Sequence, residues 1–314
     1  MKAMVIDHFG GPEVLEERDM PRPVAGPTQL LVKVVASAIN PVDYKIRQAG
    51  AWAGLQFPAI LGWDVSGVVE EVGSAVSCFK PGDEVFYCAN IFGQQGAYAE
   101  YHLTEADIVV HKPKGISHVE AASIPLAGGT AWEALVARGK LQLGESCLIH
   151  AAAGGVGAYA VQMAKAAGAY VFGTCRAGNA EFVRSLGADQ VIDYRADDYV
   201  DVVLGETGGE GVDLVFDTVG GDTMSHSIGC TKLAGRIVTV LNSTGSLDAA
   251  AHKNLTLHFV FSPRYRSKMR ALRTLVERGQ LRPLVDTVMP LEQVAAAHEK
   301  LEKGGVKGKI VLEV

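Results

Sequence analysis

The sequence predicts an α/β protein of two domains, a doubly wound parallel sheet joined to a compact, partly closed β-barrel. Three observations point there. At 314 residues the chain is long for one domain. Its middle alternates apolar runs with helical patterns, as a parallel sheet covered on both faces does. Its first part is instead a series of short, β-branched runs punctuated by Gly, Pro and Asp, the texture of a barrel.

In chain order, "KAMVIDHF", "QLLVKVVASAI", "VSGVVEEVG", "DEVFYCA", "AYAEYHLT" and "DIVVHKP" read as the barrel strands, with turns such as "FKPGDEV" between them. From residue 122 the alternation begins. "SCLIHAA" is a strand, 158–167 a helix, "YVFGTC" a strand, "NAEFVRSLG" a helix and "DQVIDY" a strand; "VDLVFDTVG", "GRIVTVLN" and "LTLHFVF" follow. After a helix at 265–278, "VDTVMP", a short helix and "GKIVLEV" return to the first texture, so the chain is expected to finish the first domain. The expected division is 1–121 with 282–314 for one domain and 122–281 for the other.

With 48% hydrophobic residues the chain can fill two cores, and a net charge of −6 argues against a nucleic-acid partner. The most basic run, "PRYRSKMRALR" at 263–273, is read as a solvated helix face. Five cysteines at 78, 88, 147, 175 and 230 form no CxxC and fit a reducing compartment better than a disulfide framework. No signal-peptide core opens the chain and no apolar run approaches a membrane span. A cytoplasmic location is the expectation.

The segment "AAAGGVGAYAVQMAKAAGAYVFGTCR", 151–176, holds the chemistry. A glycine-rich turn between a strand and a helix offers backbone N–H groups and the positive helix end to an anion. Gly154, Gly155, Val156 and Gly157 form that cradle. Against the G-x-G-x-x-G fingerprint the chain has Ala152, Gly154 and Gly157, so its first glycine is alanine. The next strand selects the dinucleotide. An NAD site places a carboxylate near its end for the ribose hydroxyls; here "GTCRAGN" has no acid before Glu181 and ends on Arg176. A guanidinium fork matches a 2′-phosphate, so NADPH is the expected coenzyme, with Thr174 and Asn179 as neutral donors beside it.

The whole chain resembles a medium-chain dehydrogenase/reductase, and most closely the zinc-free quinone oxidoreductase branch with its zeta-crystallin-like and enone-reducing members. The resemblance rests on "NPVDYKIRQ", "GWDVSGVVEEVG", "KPGDEVF", "AGGTAWEAL", "AAAGGVG", "LGADQVIDY" and "KGKIVLEV". It implies a GroES-like barrel domain, a Rossmann domain and an active site in the cleft between them. The places of the catalytic zinc ligands hold Asn40, Trp63 and Leu126, none of which serves zinc as Cys or His does. No metal is therefore expected, and His8, His102 and His111 read as ordinary surface or core histidines.

Without a Lewis acid, an activated C=C or a quinone is easier to reduce than a simple ketone, because the charge moves to a distant oxygen that a donor can stabilise. Lys45, Asn40 and Tyr44 are the expected donors, Asp43 a helix cap, and Trp52 and Trp63 the walls of an apolar substrate site. On the coenzyme side the resemblance implies Thr130 and Leu241 near the nicotinamide, Tyr194 with Arg176 at the 2′-phosphate, and Phe261 and Lys309 as loop contacts. The expected function is an NADPH-dependent reductase of quinones or α,β-unsaturated carbonyls. The alternatives are an enoyl thioester reductase and a poorly active NADPH-binding structural or regulatory protein. "LTLHFVF", at the end of the sheet order, predicts a homodimer.

Overall fold

A computed structural model describes Met1–Gly93 and Gln95–Val314. Two compact units divide the chain, Met1–Ala127 with Pro263–Val314, and Gly128–Ser262.

The first unit is the GroES-like β domain. Strands β1 (Lys2–Ile6), β2 (Glu16–Asp19), β3 (Gln29–Ala38), β4 (Ala59–Ile60), β5 (Asp64–Val72), β6 (Glu84–Cys88), β7 (Tyr101–Glu105) and β8 (Val110–His111) precede the second unit. In that second unit lie β9 (Ser146–Ile149), β10 (Tyr170–Cys175), β11 (Gln190–Asp193), β12 (Val212–Asp217), β13 (Thr231–Thr239) and β14 (Thr256–Phe259). The chain then returns to the first unit with β15 (Val285–Pro290) and β16 (Lys309–Glu313).

The large sheet of the first unit runs β15-β16-β3-β5-β6-β8, with β7 also on β3, and a small sheet runs β2-β1-β4. The expected return of the chain is observed, since Val311 pairs with Ala38 and Leu312 with Ser37. Burial follows position in the sheet. Strand β16 lies between two neighbours and is buried over Lys309–Leu312, whereas β15 at the edge alternates between half-buried and exposed. Trp63, Tyr87, Tyr98, Val65 and Leu312 belong to the core beneath.

Four helices matter here: α1 (Pro41–Ala49), α2 (His118–Ala122), α3 (Pro125–Trp132) and α4 (Gly155–Ala166). The first is set by Pro41 at its first position and by Asp43, whose Oδ2 accepts the Asn40 N–H at 2.8 Å, the capping role expected of it. Within α3 the chain passes from the first unit to the second, and a π-helical stretch, Glu133–Arg138, follows.

The second unit is a Rossmann sheet of six parallel strands in the order β11-β10-β9-β12-β13-β14. Its order reverses direction between β9 and β12, and α4 leaves β9 beside that point. Helices α5 (Ala180–Ser185), α6 (Tyr199–Glu206), α7 (Thr223–Ser227) and α8 (Asp248–His252) make up the rest of its helical layer. Leu148, Phe172, Val203, Val215 and Ile237 are buried together in its core.

The boundary expected at 282 falls at 263. Helix α9 (Arg266–Glu277) belongs to the first unit because Met269, Leu272 and Val276 form a buried stripe and Arg266 donates to the Ala106 carbonyl. The basic run is therefore a solvated face only in part: Arg270 is exposed and Arg273 half-buried, while Arg266 and Lys268 turn inward. Arg266 also lies over the Phe79 ring, and Lys268 is buried, donating to the Pro263 carbonyl at 2.6 Å. Helix α10 (Val294–Lys303) precedes β16. Among the described residues, no helix is long and apolar enough to cross a membrane.

Candidate active site

In the second unit the expected cradle residues stand at a helix start, and the helix begins at Gly155, three residues earlier than the sequence suggests. Helix α4 starts at Gly155, with Gly154 as an extended N-cap, so Gly155, Val156 and Gly157 supply the first free N–H groups. Gly157 is required by packing. A Cβ there would lie 2.3 Å from the Ala151 carbonyl oxygen and 3.0 Å from Ala152 Cα, both backbone atoms. The missing first glycine is explained as well: Ala152 does not take a positive φ, while Ala151 before it does, at 48°. A helix N-terminus with glycine at its close approach fits a dinucleotide pyrophosphate.

At the end of β10, Arg176 is exposed and its Nε donates to the Tyr194 hydroxyl at 3.2 Å. The Arg176 guanidinium holds the Tyr194 phenol below its usual range, chiefly through that hydrogen bond. The two residues expected to share a 2′-phosphate are thus side by side, and an anion there meets positive charge. Thr174 is a correction. It is buried, its Oγ1 accepts the Ala151 N–H at 3.2 Å, and it faces the protein rather than a ligand. Thr130 is buried inside α3. Leu241 follows β13, its N–H and carbonyl both engaged with Thr239 Oγ1, and Phe261 is exposed.

In the first unit, α1 presents Lys45 to solvent, and Lys45 has no hydrogen-bond or ion-pair partner among the described residues. Burial pushes the neighbouring Tyr44 phenol upward, with the Glu302 carboxylate adding to it, so it holds its proton at neutral pH. Trp52 is exposed and meets Phe92 edge-to-face at 6.1 Å. Trp63 is a second correction: it is 0% exposed within the barrel core and walls no open site.

Asn40 and Lys309 are corrections of a different kind, because they belong to a buried network that sequence reading missed. Lys309 is turned inward, its ammonium donating to the Ile39 carbonyl at 2.7 Å, to Asn40 Oδ1 and to Asp64 Oδ2 at 3.2 Å. Asn40 Nδ2 donates to the same Asp64 oxygen at 2.8 Å, and Leu126 N–H to the other at 2.6 Å. Asp43 accepts from Tyr98 at 2.8 Å, and Tyr98 meets His298 Nε2 at 3.3 Å. His298 Nδ1 faces Arg47 Nη1 at 3.0 Å, and Arg47 reaches Glu302. Guanidinium only donates, so Nδ1 accepts and the His298 proton sits on Nε2. Burial lifts Asp43 to about 7, against the pull of Tyr98 and Asn40. The available signal was an ionisable residue inside an apolar strand or helix pattern, as Asp64 is in "GWDVSG" and His298 in "VAAAHEKL".

Comparison with known proteins places this geometry. Residues 26–114 match the alcohol dehydrogenase GroES-like domain, and 186–312 match the zinc-binding dehydrogenase domain. The quinone oxidoreductase of Lama guanicoe is 34% identical over 99% of this chain and 97% of its own. The chain belongs to the medium-chain dehydrogenase/reductase family, in its quinone oxidoreductase branch. Another relative of this medium-chain oxidoreductase, the mitochondrial NAD(P)H oxidoreductase of Danio rerio, is 35% identical over 100% of this chain and 91% of its own. The structure of Escherichia coli quinone oxidoreductase complexed with NADPH superposes with a TM-score of 0.90 and 32% identity, covering 100% of both chains.

The zinc that one matched domain's description implies does not fit the residues that stand at its expected places in this oxidoreductase. Both ends of the Asn40 amide are engaged, Trp63 offers only a buried indole N–H, and Leu126 offers an alkyl chain. Among the described residues no group of three or more His, Cys, Asp or Glu could hold a metal ion.

Proposed function

We propose that this medium-chain oxidoreductase is an NADPH-dependent reductase that passes hydride, without zinc, to a quinone or to the activated C=C of an α,β-unsaturated carbonyl. The observation that carries it is the Arg176–Tyr194 pair at the end of β10, where an NAD site would hold a carboxylate. Bound there, the coenzyme would supply hydride from its nicotinamide. The first-turn amides of α4 would hold its pyrophosphate, and Arg176 with Tyr194 its 2′-phosphate.

For the acceptor, the chain supplies Lys45, an exposed cation without an internal partner, and Tyr44, a phenol that keeps its proton. A developing oxyanion is stabilised by such donors. Asn40 is the weaker candidate, because its amide is engaged with Asp64 and Lys309. Trp52, set edge-to-face against Phe92, offers an exposed aromatic ring to a conjugated acceptor. The names of the relatives support the quinone. The enoyl thioester alternative keeps only part of its basic patch, since Arg266 and Lys268 are engaged within the first unit.

The test is NADPH oxidation with a naphthoquinone and an enone, measured for the wild type and Arg176→Ala. Losing a charge-assisted contact to phosphate should raise the KM for NADPH about 10- to 100-fold, with NADH little changed. Equal losses with both coenzymes would overturn the assignment. A cytoplasmic location belongs to the same reading. So does a homodimer: β14 is an edge strand that ends on exposed Phe259, with exposed Phe261 just beyond it, and pairing of that edge with a second copy should give a dimeric mass on gel filtration at micromolar concentration.

A further inference from the structure

Ala151 is the pivot of the coenzyme loop. Its left-handed φ of 48° is unfavourable for a residue with a Cβ, so something must hold it. Its carbonyl accepts the Gly154 N–H at 2.9 Å and lies against Gly157, so the orientation of this peptide sets where α4 begins and where its free amides aim.

What holds it is a one-way hydrogen-bond chain beneath the loop. The Ala151 N–H donates to Thr174 Oγ1 at 3.2 Å, and the neighbouring Ala152 N–H to the Thr174 carbonyl at 2.9 Å. The Ser227 hydroxyl gives its one proton to the Thr223 carbonyl at 2.7 Å and so accepts from His150 Nε2 at 2.9 Å, which leaves His150 Nδ1 to accept from the Thr174 hydroxyl, 3.3 Å away. His150 therefore carries its proton on Nε2. The Tyr199 ring meets His150 edge-on at 4.7 Å and closes the site. Thr174, His150 and Ser227 are all buried, so a broken link leaves a polar group without water to replace it. Burial also pushes His150 down to about 4, which keeps it neutral and the chain's direction fixed.

We propose that Thr174 and His150 are positioning residues for the dinucleotide pyrophosphate, holding Ala151 in its left-handed conformation so that the first-turn amides of α4 converge on it. The assignment rests on the coenzyme reading above and deepens it. It gives the buried hydroxyl of β10 a task separate from that of Arg176, two residues further on: the 2′-phosphate of the coenzyme is held by a side chain, its pyrophosphate by a braced backbone.

The test uses two ligands, NADPH and adenosine 2′-monophosphate, which has the 2′-phosphate but no pyrophosphate. Thr174→Val keeps the shape and removes the hydroxyl; Thr174→Ser keeps the hydroxyl. Binding is measured calorimetrically. Thr174→Val should weaken NADPH about 10-fold or more and leave adenosine 2′-monophosphate within twofold, and Thr174→Ser should restore NADPH. The ratio of the two affinities does not depend on the folded fraction, so partial unfolding cannot imitate this result. Equal weakening of both ligands, or no weakening of either, would overturn the positioning role alone. A wild type that binds neither ligand would overturn the coenzyme reading and this role with it.

Discussion

Replacing Lys309 with methionine should cost about 3–5 kcal/mol of folding stability, the usual penalty for removing one partner of a buried ion pair. Lys309 and Asp64 are 3% and 0% exposed, and the ammonium stands 3.2 Å from Asp64 Oδ2. The neutral donors that remain, Asn40 Nδ2 and the Leu126 N–H, cannot supply the missing charge. Asp43, also buried, feels the same ammonium, so its ionised form loses part of its support as well. Adding Asp64→Asn to the variant should recover more than half of the loss, because a neutral amide no longer needs a cation. Urea titrations of the two variants check this. A loss below about 1 kcal/mol for Lys309→Met would show that the pair contributes no more than an exposed one.

Acidification from pH 7 to pH 5 should lower stability by about 3 kcal/mol, through buried histidines and against one buried aspartate. Burial lowers His102 and His150 to about 4 and His298 to about 3, the last helped by the Arg47 guanidinium. In each case a folded pKa below the unfolded value gives stability that is full above about 6.5 and fades as pH falls toward the folded value. Asp43 acts oppositely. Its folded pKa, raised to about 7, gives stability that is full below 3.8 and is lost as pH rises through 7. Between 6.5 and 4, unfolding takes up three protons and releases one, so the histidines win. Asp213 and Asp286, held below the usual carboxylate range, add their losses only below about pH 4. Denaturant titrations at pH 7, 6 and 5 measure the slope; a stability that rises on acidification would contradict the assignment of the three neutral rings.

Much of the fold was legible in the sequence because it is written in periodicity. Strands buried on both faces read as continuous apolar runs, and the return of β15 and β16 to the first sheet follows from their texture. Burial of individual polar residues was not legible. Asn40, Trp63, Thr174 and Lys309 lie in motifs whose spacing marks a site but not a direction. Which way such a side chain turns is decided by partners distant in sequence: Lys309 meets Asn40 and Asp64 across more than 240 positions. The basic run at 263–273 misled in part, for a related reason. Charge alone suggested water, while Arg266 and Lys268 found carbonyls and aromatic rings within reach of long side chains. Arg176 and Tyr194 were readable because both are exposed and close on adjacent strands.

The second unit is one continuous stretch, whereas the first is interrupted by it and needs β16 in the middle of its large sheet. During synthesis on the ribosome, the inserted unit therefore has all its strands before the first does. The earlier strand β3 must wait, with the edge that β16 will occupy still unpaired, until residues past 309 emerge. That interval is when the nascent chain is most open to sticking to its neighbours, and it sets where a holdase would engage.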